Sequence, residues 1–325
     1  MSQCPFANLL DPDTYKDGMP YQSLKEIRDA GPVVKIEDPI TGVPYWAVTR
    51  IEEMDFVSKH PKLFSSAARS AFPMEMDEFT VEMQQNTIIN MDPPRHQKVR
   101  RIVRNAFTPK RVDSYEPNFR EHAKRIVDAV ANRGECEFVE EVAAELPLIA
   151  ILELLGVPLE DRKQFFDWTN TMIFADDPDM SISEEEAQLA AMEVIGYAMQ
   201  LALKHREEPM DNITSALLDA ELEGEPVSED MFGWMFILIL VGGNESTRTV
   251  IAQGMRLLME HPDQLQYLVD NPDKIGNAVE EILRYNTAFI SMRRTATEDV
   301  EVGGQLIRKG DKVILHYHCL LYTSP

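Results

Sequence analysis

Apolar residues in this chain recur mostly every three or four positions, the period of helices that bury one face. From about residue 50 the pattern comes in successive blocks: IEEMDFVSKH, RHQKVRRIVRNAF, NFREHAKRIVDAVANR, ELPLIAILELLG, EDRKQFFDWTNTMIF, EEEAQLAAMEVIGYAMQLALKHREE, NITSALLDAEL, PDQLQYLVD and DKIGNAVEEILRY. Ahead of them, SLKEIRDA at 23–30 predicts a short amphipathic helix stopped by Gly31 and Pro32. VVKIE and PYWAVTR, joined by DPITGV, then predict a small hairpin. Near the end TEDVEVGGQLIRKGDKVIL alternates like another hairpin, turning at Gly303-Gly304 and at Lys309-Gly310. The expected fold class is mainly α with small β-hairpins. No internal repeat or low-complexity linker interrupts it, which favours a single domain. Two weakly patterned stretches, 71–94 and 174–186, are long enough to predict lids or substrate loops.

One block departs from the amphipathic rule. MFGWMFILIL at 231–240 is almost wholly apolar and runs into VGGNESTR at 241–248 before TVIAQGMRLLMEH resumes a helical period. Two interior glycines cost a helix roughly 2 kcal/mol relative to alanine, and an unpartnered buried acid or hydroxyl costs about as much again. Something must offset that. One reading is a proton relay of Glu245 with Ser246 or Thr247 beside a groove at Gly242 and Gly243, where backbone hydrogen bonding can widen. The other is a glycine pair for helix packing followed by a solvated polar face.

Charge narrows the possible partners. Acids outnumber bases 55 to 32, for a net charge of −23, so a nucleic-acid partner is excluded by the absence of a basic face of matching size. Cys4, Cys136 and Cys319 form no CxxC pair and predict neither a disulfide framework nor a cysteine zinc site. The start of the chain lacks a basic, then long apolar, secretory pattern, and no uncharged apolar run approaches 18 residues. A cytoplasmic protein with no membrane span is expected.

Within this acidic chain, Arg95 to Arg111 holds Arg95, Lys98, Arg100, Arg101, Arg104, Lys110 and Arg111 with no acid among them. The sign reversal suggests a docking face for an acidic partner or ligand, against a solvated basic helix paired with acids elsewhere. Asp92 and two prolines start that helix, and His96 and Arg100 fall four apart, able to hold one anion together. Arg294, in SMRRTATEDVEVGG, can add another cation. Glu281 and Arg284, three apart in EEILRY, share a helix face and pair there, most simply as a surface salt bridge.

The order of these features, DPPxHxxxR, then GGxE followed by hydroxyls, then ExxR, then RxAxxDVExGG and KGDKV, resembles the bacterial cytochrome P450 family of haem-thiolate monooxygenases from about Asp11 to about Tyr317. The resemblance implies that fold, and a haem b cofactor whose propionates are bound by His96, Arg100 and Arg294. It implies that Glu281 and Arg284 form a buried brace rather than a surface pair. Glu245 and Ser246 match the acid and alcohol that supply protons to dioxygen, with Thr247 as the alternative hydroxyl. The implied reaction inserts one oxygen atom of O2 into an unactivated C–H bond, with electrons from NAD(P)H delivered by a ferredoxin or similar redox partner, here expected at Arg95–Arg111. AELPLIAILELLGVPLEDR, EVIGYAM and VGGNESTRTVIAQGM look most like steroid side-chain hydroxylases, with terpenoid, branched-lipid and fatty-acid hydroxylases nearby. Ile237, Val241, Gly242, Gly243, Ile290 and Met292, with the 71–94 loop and the 174–190 region, are the implied lining of an apolar pocket.

The family's iron ligand is a cysteine in an FxxGxxxCxG loop well beyond a KGDKVIL strand. Cys319 has no such loop around it and is not expected to be that ligand. CLLYTSP, residues 319–325, reads like one translation frame of a sequencing-library adaptor. The expectation is a partial domain over 1–318, cut near His318, followed by a non-native tail, and inactive as it stands; an intact gene with its natural stop after Pro325 would reject this. Outside the family, a metal-free helical lipid-binding protein accounts for the loops and the apolar helix but not for the cations or the acid-alcohol pair. A di-iron carboxylate oxygenase is excluded because none of the seven histidines has a glutamate three residues before it.

Overall fold

A computed structural model describes residues 6, 8–38, 40–177 and 179–322. Its first part runs α1 (Tyr21–Ala30), β1 (Val33–Ile36), β2 (Tyr45–Val48), α2 (Ile51–Lys59), β3 (Phe64–Ser65), α3 (Glu78–Gln84), α4 (Arg95–Ala106), α5 (Pro109–Asp113) and α6 (Glu116–Ala131). Then follow α7 (Glu145–Leu155), α8 (Arg162–Ile173), α9 (Glu184–Glu207), α10 (Ile213–Leu218), a small ribbon of β4 (Glu221–Leu222) with β5 (Glu225–Pro226), and α11 (Glu229–Glu260). The last elements are α12 (Pro262–Asp270), α13 (Ile275–Tyr285), β6 (Ser291–Ala296), β7 (Val300–Val302), β8 (Gln305–Ile307) and β9 (Lys312–His316). The chain is mainly α with small sheets, as the periodicity predicts. The described residues form two compact units, 1–97 with 289–325, and 98–288.

In the first unit a five-stranded sheet has the order β1-β2-β9-β6-β3. The expected hairpin β1-β2 forms, Val33 opposite Val48. The later stretch differs from expectation. β7 and β8 pair around Gly303-Gly304, both at positive φ, but the turn at Gly310 does not return the chain onto β8. It delivers β9 into the sheet, parallel to β2 and antiparallel to β6. Every residue of β9 is buried except at its entry turn, so a strand covered on both faces gains more than a third hairpin strand at the surface. The 71–94 stretch is also more ordered than its weak pattern suggests. Asp77 caps α3, its carboxylate accepting from Thr80 N, and Thr87 precedes a short 3₁₀ turn.

In the second unit α11 is 32 residues long and packs against α7 and α9. The Ser228 hydroxyl accepts from Met231 N at its start, and Glu229 and Asp230 sit in the first turn, where the helix dipole favours acids. α7 ends at Gly156, in the left-handed region at φ 72°. Leu148, Leu152 and Leu155 of α7, Val194 and Ala198 of α9, and Phe232, Phe236 and Leu240 of α11 are all buried in this core.

Candidate functional site

The helix α11 stays α-helical through VGGNESTR, so the widened turn expected at the glycines does not form. The two glycines do different things. A Cβ on Gly243 would come within 2.9 Å of Ile151 Cδ1, so Gly243 is the close-packing contact with α7 and does not face a ligand groove. A Cβ on Gly242 would meet nothing within 4 Å. Gly242, Glu245 and Ser246 stand at i, i+3 and i+4 and share one helix face. The Ser246 hydroxyl donates to the Gly242 carbonyl at 2.7 Å, marking that carbonyl as the local acceptor beside the open position. Thr247 is exposed, and Ile237 and Val241 are buried and half-buried in the turn before.

Glu245 is nearly buried. Its Oε1 accepts from Asn244 Nδ2 at 2.9 Å and its other oxygen pairs with Arg248, one turn on. Burial raises its pKa above the ordinary carboxylate range, with Arg248 opposing that rise. Arg248 donates to Asn170 Oδ1 at 3.0 Å and lies over the Phe174 ring at 5.3 Å, so α8 and the turn after it hold the cation that holds the acid. Sequence reasoning did not single out Arg248. Its signal was available: Glu245 and Arg248 have the same spacing as Glu281 and Arg284.

That second pair forms, with Arg284 Nε and Nη2 each 2.7 Å from a Glu281 oxygen, but it is not the buried brace the resemblance implies. The side chains are 55% and 62% exposed. Ile282 faces α11, where a Cβ on Gly254 would come within 2.9 Å of it, and its neighbours Glu281 and Arg284 therefore point away from that packed face.

The cations separate by environment. His96 and Arg100 lie one turn apart on α4, and Arg100 is exposed with no hydrogen bond or ion pair among the described residues. Asp92 sets the start of this helix, accepting from Ser66 N at 2.9 Å and from the Ser65 hydroxyl. Arg294 is half-buried on β6, and among the described residues its side chain hydrogen-bonds to the neighbouring Arg293 carbonyl at 2.7 Å. Burial draws its pKa below the arginine value, while Tyr317 and Asp92 pull it back. Each guanidinium by itself, the partly buried one on β6 with donors to spare and the exposed one on α4 with none engaged, has the chemistry to donate to a carboxylate such as a haem propionate. On the same unit as Arg294, Met292 is buried and Ile290 half-buried, its carbonyl accepting from Tyr317 N at 3.0 Å.

Cys319 does not resemble a thiolate ligand. It is fully buried in the core of the first unit, and burial pushes its thiol up despite Arg28 beside it. Cys136 is exposed and free, and Cys4 lies outside the described residues, as do Thr323 to Pro325 of the tail. Along the basic segment, Lys98 pairs with Glu223 at 2.7 Å and Arg111 with Asp211 at 3.5 Å. Arg101, Arg104 and Lys110 are exposed and engage no partner among the described residues. No described helix is long and apolar enough to cross a membrane.

Residues 162–323 match the sequence pattern of the family described as Cytochrome P450. A steroid C26-monooxygenase of Rhodococcus jostii is 40% identical over 94% of this chain and 66% of its own length. One of the same name from Mycobacterium tuberculosis is 36% identical over 96% of this chain and 73% of its own length. A methyl-branched lipid omega-hydroxylase of that species is 35% identical over 88% and 67%. The chain thus spans about two thirds to three quarters of the length of these relatives. Among solved structures, a Mycobacterium marinum cytochrome P450 in complex with pseudoionone superposes with a TM-score of 0.86 at 32% identity, covering all of this chain and 82% of that one. A Bacillus megaterium protein in complex with testosterone superposes with a TM-score of 0.78 at 27% identity, covering 93% of this chain and 77% of that one. Identity at this level across nearly the whole chain, with a solved cytochrome P450 superposing on all of it, leaves one conclusion: the chain belongs to the cytochrome P450 family.

Proposed function

We propose that the protein is a monooxygenase that hydroxylates an unactivated C–H bond of an apolar substrate, a steroid side chain or a similarly branched lipid. One oxygen atom of O2 enters the substrate, the other leaves as water, and NAD(P)H supplies the electrons through an acidic carrier of the ferredoxin type. The observation that carries this reading is the Gly242, Glu245 and Ser246 face of α11. It combines an open backbone position with a carboxylate that burial makes ready to hold a proton, and with a hydroxyl next to it. The names of the two relatives matched above at 36% and 40% identity support the steroid class. The branched-lipid relative supports the wider apolar class.

Haem, when bound, supplies the oxygen activation. The chain's own residues bind and protonate. On the family resemblance, His96, Arg100 and Arg294 would be the residues to hold the propionates. Glu245 holds a proton near neutral pH more readily than an exposed glutamate does, because burial disfavours its anion. Ser246 passes protons between Glu245 and the open side of Gly242, turning its hydroxyl from the Gly242 carbonyl, and Arg248 returns Glu245 to one position after each transfer. Ile237 and Val241, in the turn before Gly242, would exclude water from the reacting carbon.

With a steroid substrate and a reconstituted electron supply, the full-length enzyme is expected to yield a product heavier by one oxygen atom. Replacing Ser246 by alanine and Thr247 by valine should divert most electrons to hydrogen peroxide while NAD(P)H consumption continues. Unchanged coupling between NAD(P)H and product rejects the relay. For the carrier, Arg101→Glu or Arg104→Glu should slow ferredoxin-dependent reduction and flatten its dependence on salt, since each replaces a positive charge of a steering face by a negative one. Reduction rates that keep the wild-type salt slope place the carrier elsewhere.

A further inference from the structure

The sheet of the first unit buries two cations that none of the proposed chemistry uses. Lys312 and Arg293 point to the same sheet face, from β9 and β6, with side chains 2% and 4% exposed. Both reach one atom, Oε1 of Glu75: Lys312 Nζ at 3.0 Å and Arg293 Nη1 at 3.0 Å. Glu75 lies in the stretch between β3 and α3, where residues 71–77 have no regular secondary structure. The same arginine donates from Nη1 to the Met74 carbonyl at 3.2 Å, and from its backbone N to the Ala71 carbonyl at 2.8 Å. A segment without a ladder of its own is therefore fastened to the sheet at Ala71, Met74 and Glu75. Beyond the fastening, α3 presents Phe79, which is largely exposed.

The charges around this contact make Glu75 its controlling member. Asp38 is buried nearby, but its oxygens are taken by Asn8, Ile40 and Thr41. Arg69 adds like charge toward Arg293. Lys312 Nζ and Arg293 Nε have no further hydrogen bond among the described residues. Burial works to raise the Glu75 pKa, but Lys312 and Arg293 outweigh it and hold the carboxyl below its usual range. Burial also draws both cations down, since one carboxylate is shared between them. Neutralising Glu75 leaves two buried cations uncompensated, whereas its own side chain, one-third exposed, can move into water.

We propose that Glu75 is a latch: its ion pairs with Arg293 and Lys312 fix the 71–77 segment on the sheet and so position the start of the substrate loop, governing how fast an apolar ligand leaves. Glu75 is a positioning residue and touches no reacting atom. The proposal rests on the reading of 71–94 as a substrate loop.

The test is hydrogen exchange of the amides in 71–84, together with the dissociation rate of testosterone as the probe, in the full-length haem-loaded protein. Glu75→Gln is expected to speed exchange in 71–84 by about tenfold or more while β1 and β2 exchange as before, and to speed testosterone release by a similar factor. Lys312→Met, which keeps the Arg293 contact, should give a smaller increase in both, and supplies the same readout if Glu75→Gln does not fold. Glu75→Asp, which keeps the charge, should restore most of the protection. Unchanged exchange in the variants overturns the latch. Faster exchange with unchanged testosterone release overturns the positioning role by removing the substrate-loop reading beneath it.

Discussion

Replacing Gly156 by alanine is expected to lower the unfolding free energy by about 3–5 kcal/mol, a large part of the stability of any single domain. Two causes act together. Gly156 ends α7 at φ 72°, where a Cβ costs about 1–2 kcal/mol. That Cβ would also stand 2.2 Å from Asn212 Nδ2. Asn212 cannot yield cheaply, because it is buried, its Nδ2 meets His205 Nε2 at 2.9 Å, and its Oδ1 accepts from Ser215 N at the start of α10. Moving it removes an N-cap worth about 1 kcal/mol and leaves buried polar atoms unpaired at about 1–3 kcal/mol. Urea unfolding reads the loss as a lower midpoint with an unchanged slope. A double-mutant cycle apportions it: in an Asn212→Ala background the Gly156→Ala cost should shrink to the backbone component of about 1–2 kcal/mol. Equal costs in both backgrounds would show that the contact with Asn212 contributes nothing.

The same glycine illustrates what could be read from the chain beforehand. ELPLIAILELLG signals a helix and its stop, so α7 and its cap are legible locally, as are α11, α13 and the β1-β2 hairpin. The partner that makes Gly156 irreplaceable lies 56 residues on, since Asn212 follows in the sequence only after α8 and α9. Long-range strand pairing was hidden for the same reason. Lys312 to His316 reads as the last strand of a hairpin, yet its register is set by Tyr45 to Val48 on one side and Ser291 to Thr295 on the other. Among the candidate residues, Glu245, Ser246 and the His96-Arg100 pair were visible as polar or cationic residues at helical spacing in unexpected surroundings, and Arg294 as a cation ahead of a hairpin. What periodicity could not divide was the glycine pair, because Gly242 and Gly243 differ only in which neighbour each one meets. The Glu75 contact had no local signature at all: one of several acids in a weakly patterned segment, joined to cations more than two hundred residues away.

His316 gives the chain a specific sensitivity to acid. Its side chain is fully buried in β9, and neither ring nitrogen has a hydrogen-bond partner among the described residues. The Tyr45 ring lies 6.3 Å away, Arg293 and Lys312 share its sheet face, and the Glu75 carboxylate on that face is engaged by those two cations. Burial lowers its pKa from 6.5 to about 4. Between these values the unfolded chain binds the proton and the folded chain does not, so stability falls as the pH drops below 6.5 and levels off near 4. At about 1.4 kcal/mol for each pH unit, the full loss is about 3 kcal/mol. Glu75, held below its usual range, contributes in the same direction only as the pH passes below the ordinary carboxylate value. The histidine is therefore isolated by difference. Unfolding free energies of the wild type and of His316→Phe, measured by urea from pH 7.5 to pH 4.5, should diverge steadily below about pH 6.5, the variant losing less. The variant's offset at neutral pH reflects repacking of a larger ring and decides nothing; the pH dependence of the difference does. Parallel curves would mean that His316 takes up its proton in the folded state as easily as in the unfolded one, and that its site in the sheet is open to water.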